Sequence, residues 1–380
     1  MADVRIKVAQ LLPDLDEGGV EVETVELSNF LVSSGHKSVV ISNKGRLASK
    51  LTDSDHVHCD WDIGAKSLST FKYFFPLRKL LLNEKIDILH IRSRVPAWLG
   101  LLVWKSIPIL KRPILITSFH GFYSVNYYSS VMTKGEKVIA VSSAIKEHIR
   151  KNYSCDNDEI EVIYGGYDED IFNPSNVPNE RIANLNNKWS IQDKKKPIII
   201  LPARLTRLKG HLFFLESIHL IRNLNFTVLF LGDFDEKQSH HESVKERISS
   251  LNLTDKVFLV GNCDDMPSAL MIADIVVSSS ILPESFGKVA IEAGAMGKPI
   301  IATAHGGSLE TIIDKKTGWL VEPNNTEKMA EALKEAILHK PLREEYGLAA
   351  QEWVKENFTT GKMCKQTLCL YLNCLKEKRV

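Results

Sequence analysis

Short runs of apolar residues alternate with segments of helical periodicity along most of this chain. Residues 20–34 and 142–152 have the helical period, and the first of these segments ends at Gly35. Alternation of this kind predicts a parallel sheet with helices on both faces. The apolar runs of the first half, which we predict to be six strands, lie at residues 4–12, 37–42, 86–91, 114–118, 137–141 and 160–164.

The alternation stops at a polar segment and then starts again. Residues 176–196 are rich in Asn, Pro and Lys, which predicts a linker. We therefore expect two Rossmann-like, doubly wound α/β domains, residues 1–175 and 197–357, facing each other across an interdomain cleft that is the default ligand site. A C-terminal segment, residues 358–380, follows them. The strand-like runs of the second half lie at residues 197–202, 226–231, 256–260, 273–278 and 299–303.

Composition narrows the class of protein. The 380 residues are 44% hydrophobic and 25% charged, which is typical of a globular protein with two domains. A net charge of +1 gives no overall attraction to nucleic acid. The six cysteines lack metal-ligand spacing, and the chain shows no signal-peptide or membrane-spanning run, so we expect free thiols and a cytoplasmic protein.

The most informative segment carries two glutamates eight positions apart, Glu284 and Glu292. A strand at residues 273–278 precedes it, and a helix predicted over residues 287–296 is ended by Gly297 and Pro299. Glu284 then lies in the loop and Glu292 inside the helix, with the first-turn amides between them able to hydrogen-bond sugar oxygens. The competing interpretation is an acidic loop followed by a surface helix.

A basic loop follows the first strand of the second half. Arg204 offers a planar fork and Lys209 a mobile point charge, five positions apart beside Gly210. This pair suits a diphosphate, each charge-assisted hydrogen bond contributing about 1.5–3 kcal/mol. Basic loops are more often solvated surfaces, and that is our interpretation of Arg207.

Three further sites in the sequence follow predicted strands. Gly18 and Gly19 stand before the first helix, where a phosphate could approach the backbone, although such a pair is often only a turn. His120, before Gly121, ends a strand and would face the cleft, although a lone histidine is more often structural. Gly232 and Asn262 also end strands and could present backbone groups to a base, or simply form turns. No G-x-G-x-x-G occurs, which argues against a dehydrogenase.

These elements together resemble the family-4 retaining glycosyltransferases of the GT-B fold. The resemblance covers nearly the whole chain. It implies that Arg204 and Lys209 bind the diphosphate of a nucleotide-sugar, that Glu292 binds the ribose, and that His120 reaches the sugar or diphosphate. It also implies that the C-terminal helix crosses back to the first domain. The remaining donor-binding positions that it implies are Gly18, Gly19, Gly232, Asn262, Glu284, Ser285, Phe286 and Gly287.

The chain departs from the family at two places, in the helix after Gly18-Gly19 and just before Arg204. Val22 and Glu23 stand where many members carry Arg-Gly, and Ala203 replaces a glycine before Arg204. The loss of a positive charge at the first site weighs against an anionic acceptor there. The donor residues are all present.

The function implied is hexosyl transfer from a UDP-, GDP- or ADP-sugar to a saccharide or glycolipid of the cell envelope, such as lipopolysaccharide. His120, Arg204, Lys209 and Glu284 would be catalytic. We expect no metal or other cofactor, since Arg204, Lys209 and helix N-termini could stabilise the leaving diphosphate without one. The alternatives are a non-catalytic nucleotide-sugar-binding protein and another GT-B-type enzyme, such as an epimerase or a phosphorylase.

Residues 71–80 and 98–112 mix aromatic, aliphatic and basic residues. The favoured interpretation is core-facing helices whose lysines extend along the surface. The other is peripheral contact with the inner face of an anionic membrane, which would suit a lipid-linked acceptor.

Overall fold

A computed structural model describes residues 5–16, 18–51, 55–191, 196–233 and 239–379 and divides the chain into two units. The first comprises Met1–Gly166 with Thr360–Val380, and the second Tyr167–Thr359. The division falls before the boundary at residue 175 that the sequence predicts. Residue 4, the start of the first predicted strand, lies outside the described residues.

The first unit contains a seven-stranded parallel sheet in the order β3-β2-β1-β4-β5-β6-β7. Its direction of winding reverses between β1 and β4, which creates a switch point where ligands bind in open α/β sheets. The strands are β1 (Lys7–Leu11), β2 (Lys37–Ser42), β3 (His56–Asp60), β4 (Ile88–Ile91), β5 (Ile114–Phe119), β6 (Lys137–Ala140) and β7 (Ile160–Val162). The helices between them are α1 (Gly19–Ser33), α2 (Phe74–Asn83), α3 (Arg94–Ser106) and α4 (Ser143–Asn152).

The second unit contains a six-stranded parallel sheet in the order β10-β9-β8-β11-β12-β13, with its switch point between β8 and β11. The strands are β8 (Ile198–Pro202), β9 (Thr227–Leu231), β10 (Val257–Gly261), β11 (Ile275–Ser278), β12 (Ile300–Thr303) and β13 (Gly318–Val321). The helices are α5 (Asn179–Lys188), α6 (His211–Leu220), α7 (Ser239–Ser250), α8 (Met266–Ile272), α9 (Lys288–Ala295), α10 (Ser308–Thr311), α11 (Thr326–Leu338) and α12 (Lys340–Asn357).

The last helix, α13 (Thr360–Arg379), belongs to the first unit and packs on α1. Met363, Cys364 and Tyr371 from α13 join the apolar cluster that covers β1, β4 and β5. The chain's final described helix therefore completes one face of the sheet with which the chain begins.

The two-sheet architecture confirms the predicted α/β fold, and three elements were missed. Strand β3 is half-buried at the sheet edge with a polar sequence, and β13 is only four residues long. The segment predicted as a linker contains α5, which packs on α8. Its polar composition hides an apolar face, on which Leu185 is buried and Ile182 and Trp189 pack beside it.

Candidate active site

Three loops meet at the carboxyl edge of the second sheet, next to its switch point. The loop after β8 is tied to the loop after β11, because the Ser279 hydroxyl donates to the Lys209 carbonyl at 2.9 Å. The loop after β12 is tied to the same loop, because the Gly307 amide donates to the Glu284 carbonyl at 2.8 Å. These contacts fix the backbone that carries Lys209 and Glu284.

Two glycines allow the loops to approach this closely. Gly210 has φ 69°, and a Cβ there would lie 1.9 Å from the Ser279 carbonyl oxygen. Gly306 has φ 59°, and its Cβ would lie 2.2 Å from the Glu284 carbonyl oxygen. Any side chain at either position would separate the loops, because both the left-handed backbone and the close approach require glycine.

Lys209 and Glu284 form an ion pair at the centre of these loops. The Lys209 Nζ lies 2.6 Å from the Glu284 Oε1, and both side chains are partly exposed, at 30% and 19%. The Ser280 hydroxyl donates to the same carboxylate oxygen. Burial alone would raise the pKa of Glu284, but Lys209, Ser280 and the nearby His305 together hold that pKa below its ordinary value. Glu284 is therefore an ionised acceptor at neutral pH.

His305 and Ser280 are site residues to which the sequence assigned no role. The His305 Nε2 lies 2.8 Å from the Ser280 carbonyl oxygen and 2.9 Å from the Thr303 hydroxyl. The signal that could have found His305 is its position two residues after β12, at the same sheet edge as Lys209.

The helix that carries Glu292 begins as predicted. Gly287 precedes α9 with φ 90°, and Glu292 lies within the helix. Glu292 is only partly exposed, and burial raises its pKa to about 7, with Lys288 offsetting part of that effect. Phe286 is buried and packs edge-on to Phe358, with ring centroids 5.7 Å apart. Its side chain therefore belongs to the core, and only its backbone can face a ligand.

Three other predicted site residues follow the ends of β8, β9 and β10, namely Arg204, Gly232 and Asn262. Arg204 is exposed. Gly232 lies against the backbone just before Arg204, because a Cβ at Gly232 would be 2.2 Å from the Ala203 carbonyl oxygen. Asn262 is exposed and donates to Asp264 at 3.2 Å. The structure thus brings Lys209 and Glu284 into contact, and it places Arg204 and Gly232 at the ends of neighbouring strands.

In the first unit, His120 directly follows β5 and is nearly buried. Its Nδ1 lies 3.5 Å from the Glu23 Oε2, and the same oxygen lies 3.2 Å from the Arg92 Nη2. Arg92 directly follows β4 and also donates to the Gln10 side chain at 3.1 Å. The sequence analysis treated Glu23 only as a departure from the family, standing where many members carry glycine, whereas the structure shows it joining His120 to Arg92.

The Gly18-Gly19 turn lies in acidic surroundings. Gly18, with φ 134°, precedes α1, and a Cβ there would lie 2.3 Å from the Glu21 carboxylate. Burial raises the pKa of Glu21, and the neighbouring carboxylates of Asp14 and Glu23 raise it further. A phosphate at this helix start would meet those carboxylates, so this donor-binding assignment stays a prediction.

No metal-binding cluster of three or more His, Cys, Asp or Glu residues occurs among the described residues. Within the same residues, the helices are all too short or too polar to cross a bilayer.

Comparison with known proteins gives consistent matches over both halves. Residues 184–353 match the model for glycosyl transferases group 1, and residues 17–171 match the model for glycosyltransferase family 4. The chain is 23% identical over 380 residues to N-acetyl-alpha-D-glucosaminyl L-malate synthase of Bacillus anthracis, covering 95% of this chain and 96% of that protein.

Solved structures agree with these matches. A glycosyltransferase from Rickettsia africae ESF-5 is 35% identical, with a TM-score of 0.89 and coverage of 98% of this chain and 99% of that one. Anabaena Alr3699/HepE, solved with UDP-glucose, is 18% identical with a TM-score of 0.82, covering 98% and 100%. The chain therefore belongs to glycosyltransferase family 4, with the GT-B fold.

Proposed function

We propose that this glycosyltransferase moves a hexosyl group from a nucleoside diphosphate sugar to a saccharide or glycolipid of the cell envelope, with retention of configuration. The observation that carries the proposal is the Lys209–Glu284 pair at the carboxyl edge of the second sheet, 2.6 Å apart. A cation and a hydroxyl acceptor in contact at this edge suit a diphosphate joined to a sugar.

The partial exposure of the Lys209–Glu284 pair supports a simple mode of donor binding. A diphosphate competes with Glu284 for the Lys209 ammonium, and both side chains are sufficiently exposed to separate. Once Lys209 turns to the phosphates, Glu284 is released to accept hydrogen bonds from sugar hydroxyls. Each charge-assisted hydrogen bond is worth about 1.5–3 kcal/mol, so the new contacts offset the loss of a partly exposed pair.

Leaving-group stabilisation is the proposed source of rate. As the bond between the anomeric carbon and phosphate breaks, negative charge grows on the diphosphate, where Arg204 and Lys209 would stabilise it. The acceptor hydroxyl attacks from the leaving-group side, forms the new glycosidic bond and gives its proton to a diphosphate oxygen. Glu292 would hold the ribose. This route uses cations and backbone dipoles in place of a protein nucleophile.

A surface of the first unit supports a lipid-linked acceptor. The apolar side chains of Phe75, Ile109 and Leu110 are 77%, 72% and 95% exposed. Exposed Lys79 and Lys111 lie beside them in the chain. The buried side chains Leu77 and Leu81 of α2 agree with the favoured interpretation of core-facing helices, whereas these three side chains lie on the exposed side. We infer peripheral contact with the cytoplasmic face of an anionic membrane, where apolar side chains enter the interface and lysines meet lipid phosphates.

Vesicle co-sedimentation tests this contact. The wild type should bind vesicles with anionic lipid more strongly than neutral vesicles, and the double variant I109S/L110S should lose binding to both. Binding that ignores lipid charge and both substitutions would contradict the membrane assignment.

The donor and the reaction are tested separately. A thermal-shift screen of UDP-, GDP- and ADP-sugars should give one stabilising nucleotide, because a ligand bound to the folded state raises the melting temperature by mass action. UDP-glucose is the first to try, since HepE was solved with it. Incubation of that donor with envelope lipid should then give a glycosylated lipid with the anomeric configuration of the donor. Inverted product, or stabilisation by no nucleotide-sugar, would contradict the proposal.

A further inference from the structure

A second cluster of charged side chains is built at the switch point of the first sheet. Gln10 lies on β1, Arg92 directly follows β4 and His120 directly follows β5. Because β1, β4 and β5 are neighbours in the sheet, these side chains come to one part of its carboxyl edge. Glu23, on α1, completes the cluster.

The position of Glu23 is fixed on several sides. Its side chain is only 10% exposed, and that of its partner Arg92 is 4% exposed. Arg92 is in turn held by Gln10, whose amide donates to Ser28 at 3.0 Å and to the Thr24 carbonyl at 3.3 Å. The carboxylate therefore faces His120 as part of a rigid buried network.

We propose that Glu23 is a positioning residue that sets the tautomer of His120. A carboxylate can only accept a hydrogen bond, and its Oε2 lies 3.5 Å from the His120 Nδ1. This arrangement favours the proton on Nδ1 and makes Nε2 the acceptor nitrogen of the neutral ring. Resting on the proposed function, the inference gives His120 a specific task, namely to present an acceptor nitrogen to a substrate hydroxyl at the carboxyl edge of the first sheet.

Arg92 keeps this arrangement neutral. Its guanidinium balances the Glu23 charge, so the carboxylate beside the imidazole belongs to a paired buried network. Other titratable groups lie around the cluster, and Glu21, whose pKa is raised by burial, interacts with both Arg92 and Glu23. Burial holds the pKa of His90 well below its ordinary value, with Arg92 and His120 adding to the effect. Burial also raises the pKa of Tyr371 and of the Cys364 thiol, both on α13.

Two variants separate the roles of the carboxylate and the guanidinium. R92M removes the guanidinium and leaves Glu23 beside His120. E23L/R92M removes both charges, and replacing a buried ion pair with apolar groups of similar volume is often neutral or stabilising. The two proteins differ only at residue 23, so each is the matched control for the other.

Nitrogen-15 NMR of the histidine side chains reads the tautomer directly, with H120Q identifying the His120 signals. Wild type and R92M should both carry the proton on Nδ1, because both keep the Glu23 carboxylate beside His120. E23L/R92M should shift toward the Nε2-protonated form. If R92M and E23L/R92M show the same tautomer, Glu23 does not position His120.

Kinetics then connect the tautomer to transfer. With the best donor, kcat of E23L/R92M should be about tenfold below that of R92M, because orienting a reacting group is worth this much or more. The KM for the donor should change less, since Lys209 and Glu284 are unaltered. Absence of turnover by every variant and the wild type would count against the proposed function, while the NMR result would still decide the role of Glu23. Equal kcat in the two variants would overturn the catalytic importance of the tautomer.

Discussion

Two ion pairs of this protein, Lys209–Glu284 in the second unit and Arg92–Glu23 in the first, differ in exposure and in the role that we propose for each. Lys209 and Glu284 lie in loops, and their long, flexible side chains are 30% and 19% exposed. Arg92 and Glu23 are 4% and 10% exposed, and Gln10 holds the guanidinium as well. The first pair can separate when a competing anion binds Lys209. The second pair is almost completely buried, so neither side chain can reach solvent without a change in the surrounding structure.

The difference follows from the balance of desolvation and attraction. A partly exposed lysine that loses its carboxylate regains water, so little free energy is lost. A buried arginine that loses its carboxylate keeps an uncompensated charge in a low-dielectric environment, which is costly. We therefore propose that the Lys209 pair exchanges partners when a ligand binds and that the Arg92 pair holds a fixed geometry.

The largest expected effect comes from breaking each pair with an isosteric amide. E23Q should lower the free energy of unfolding of the first unit by about 3–5 kcal/mol, because Arg92 is left buried and unpaired. E284Q should cost the second unit no more than about 1 kcal/mol. Hydrogen exchange measures the two sheets separately, through the amides of β1 and β4 and those of β8 and β11. Equal losses in the two sheets would remove the distinction between the pairs.

Removing the cations of the second unit should mainly affect the reaction. R204A/K209A should lower kcat/KM for the best donor by at least about 100-fold, which is roughly 2.7 kcal/mol of transition-state stabilisation. R207A is the matched control, because Arg207 is an exposed cation of the same loop, and it should stay within about twofold of wild type. A loss below about tenfold in the double variant would show that these cations do not bind the leaving group.

A smaller effect is expected from pH, through Glu292. Its pKa of about 7 means that the carboxyl is largely protonated at pH 6 and ionised at pH 8. The ionised form is the better acceptor for ribose hydroxyls, so the affinity for the best donor found in the thermal-shift screen should rise roughly tenfold between those values. Isothermal titration calorimetry measures this change, and E292Q should flatten it. The same slope in E292Q would assign the titration to another group.

The raised pKa of Glu292 also predicts how the free energy of unfolding depends on pH. This dependence has the opposite sign to that of donor affinity. The raised pKa means that the folded protein binds an extra proton between the ordinary value of 4.5 and about 7. The contribution of this carboxyl to stability is therefore present below about pH 4.5 and declines as pH rises toward 7. Binding and stability should thus move in opposite directions with pH.

The sequence predicted which residues lie at the carboxyl edge of each sheet, because the end of a strand can be recognised from the local pattern of residues. Apolar runs located the strands, and parallel strands bring the residues after their carboxyl ends to one edge. Lys209 and Glu284 could be placed at that edge without coordinates. Their direct contact could not, because the residues are 75 positions apart and the bond depends on side-chain torsions.

Glu23 shows where sequence reasoning failed. Arg92 lies 69 positions further along the chain, and nothing local shows that the two residues meet. Their contact depends on β1 and β4 being neighbours, which is a property of strand order. A similar cause explains α5, whose apolar face is visible only once α8 is known to cover it.

The smallest expected effect tests a third pair, Arg181 with Asp265, which joins α5 to the start of α8. The Arg181 Nε lies 2.9 Å from the Asp265 Oδ2, and the side chains are 44% and 30% exposed. R181M should cost the second unit less than about 1 kcal/mol, because exposed pairs gain little and salt screens them. Hydrogen exchange of α8 with and without added salt measures this cost.

Acid provides the control for this third pair. Arg181 lowers the pKa of Asp265 to about 2, so the contribution of the pair to stability is present above the ordinary aspartate pKa of 3.8 and is lost as pH falls toward 2. In R181M that loss should shrink, while Asp265 still accepts the Ser268 amide at the start of α8. A cost from R181M as large as that from E23Q would mean that exposure does not set the strength of these pairs, and the contrast between Lys209–Glu284 and Arg92–Glu23 would need another cause.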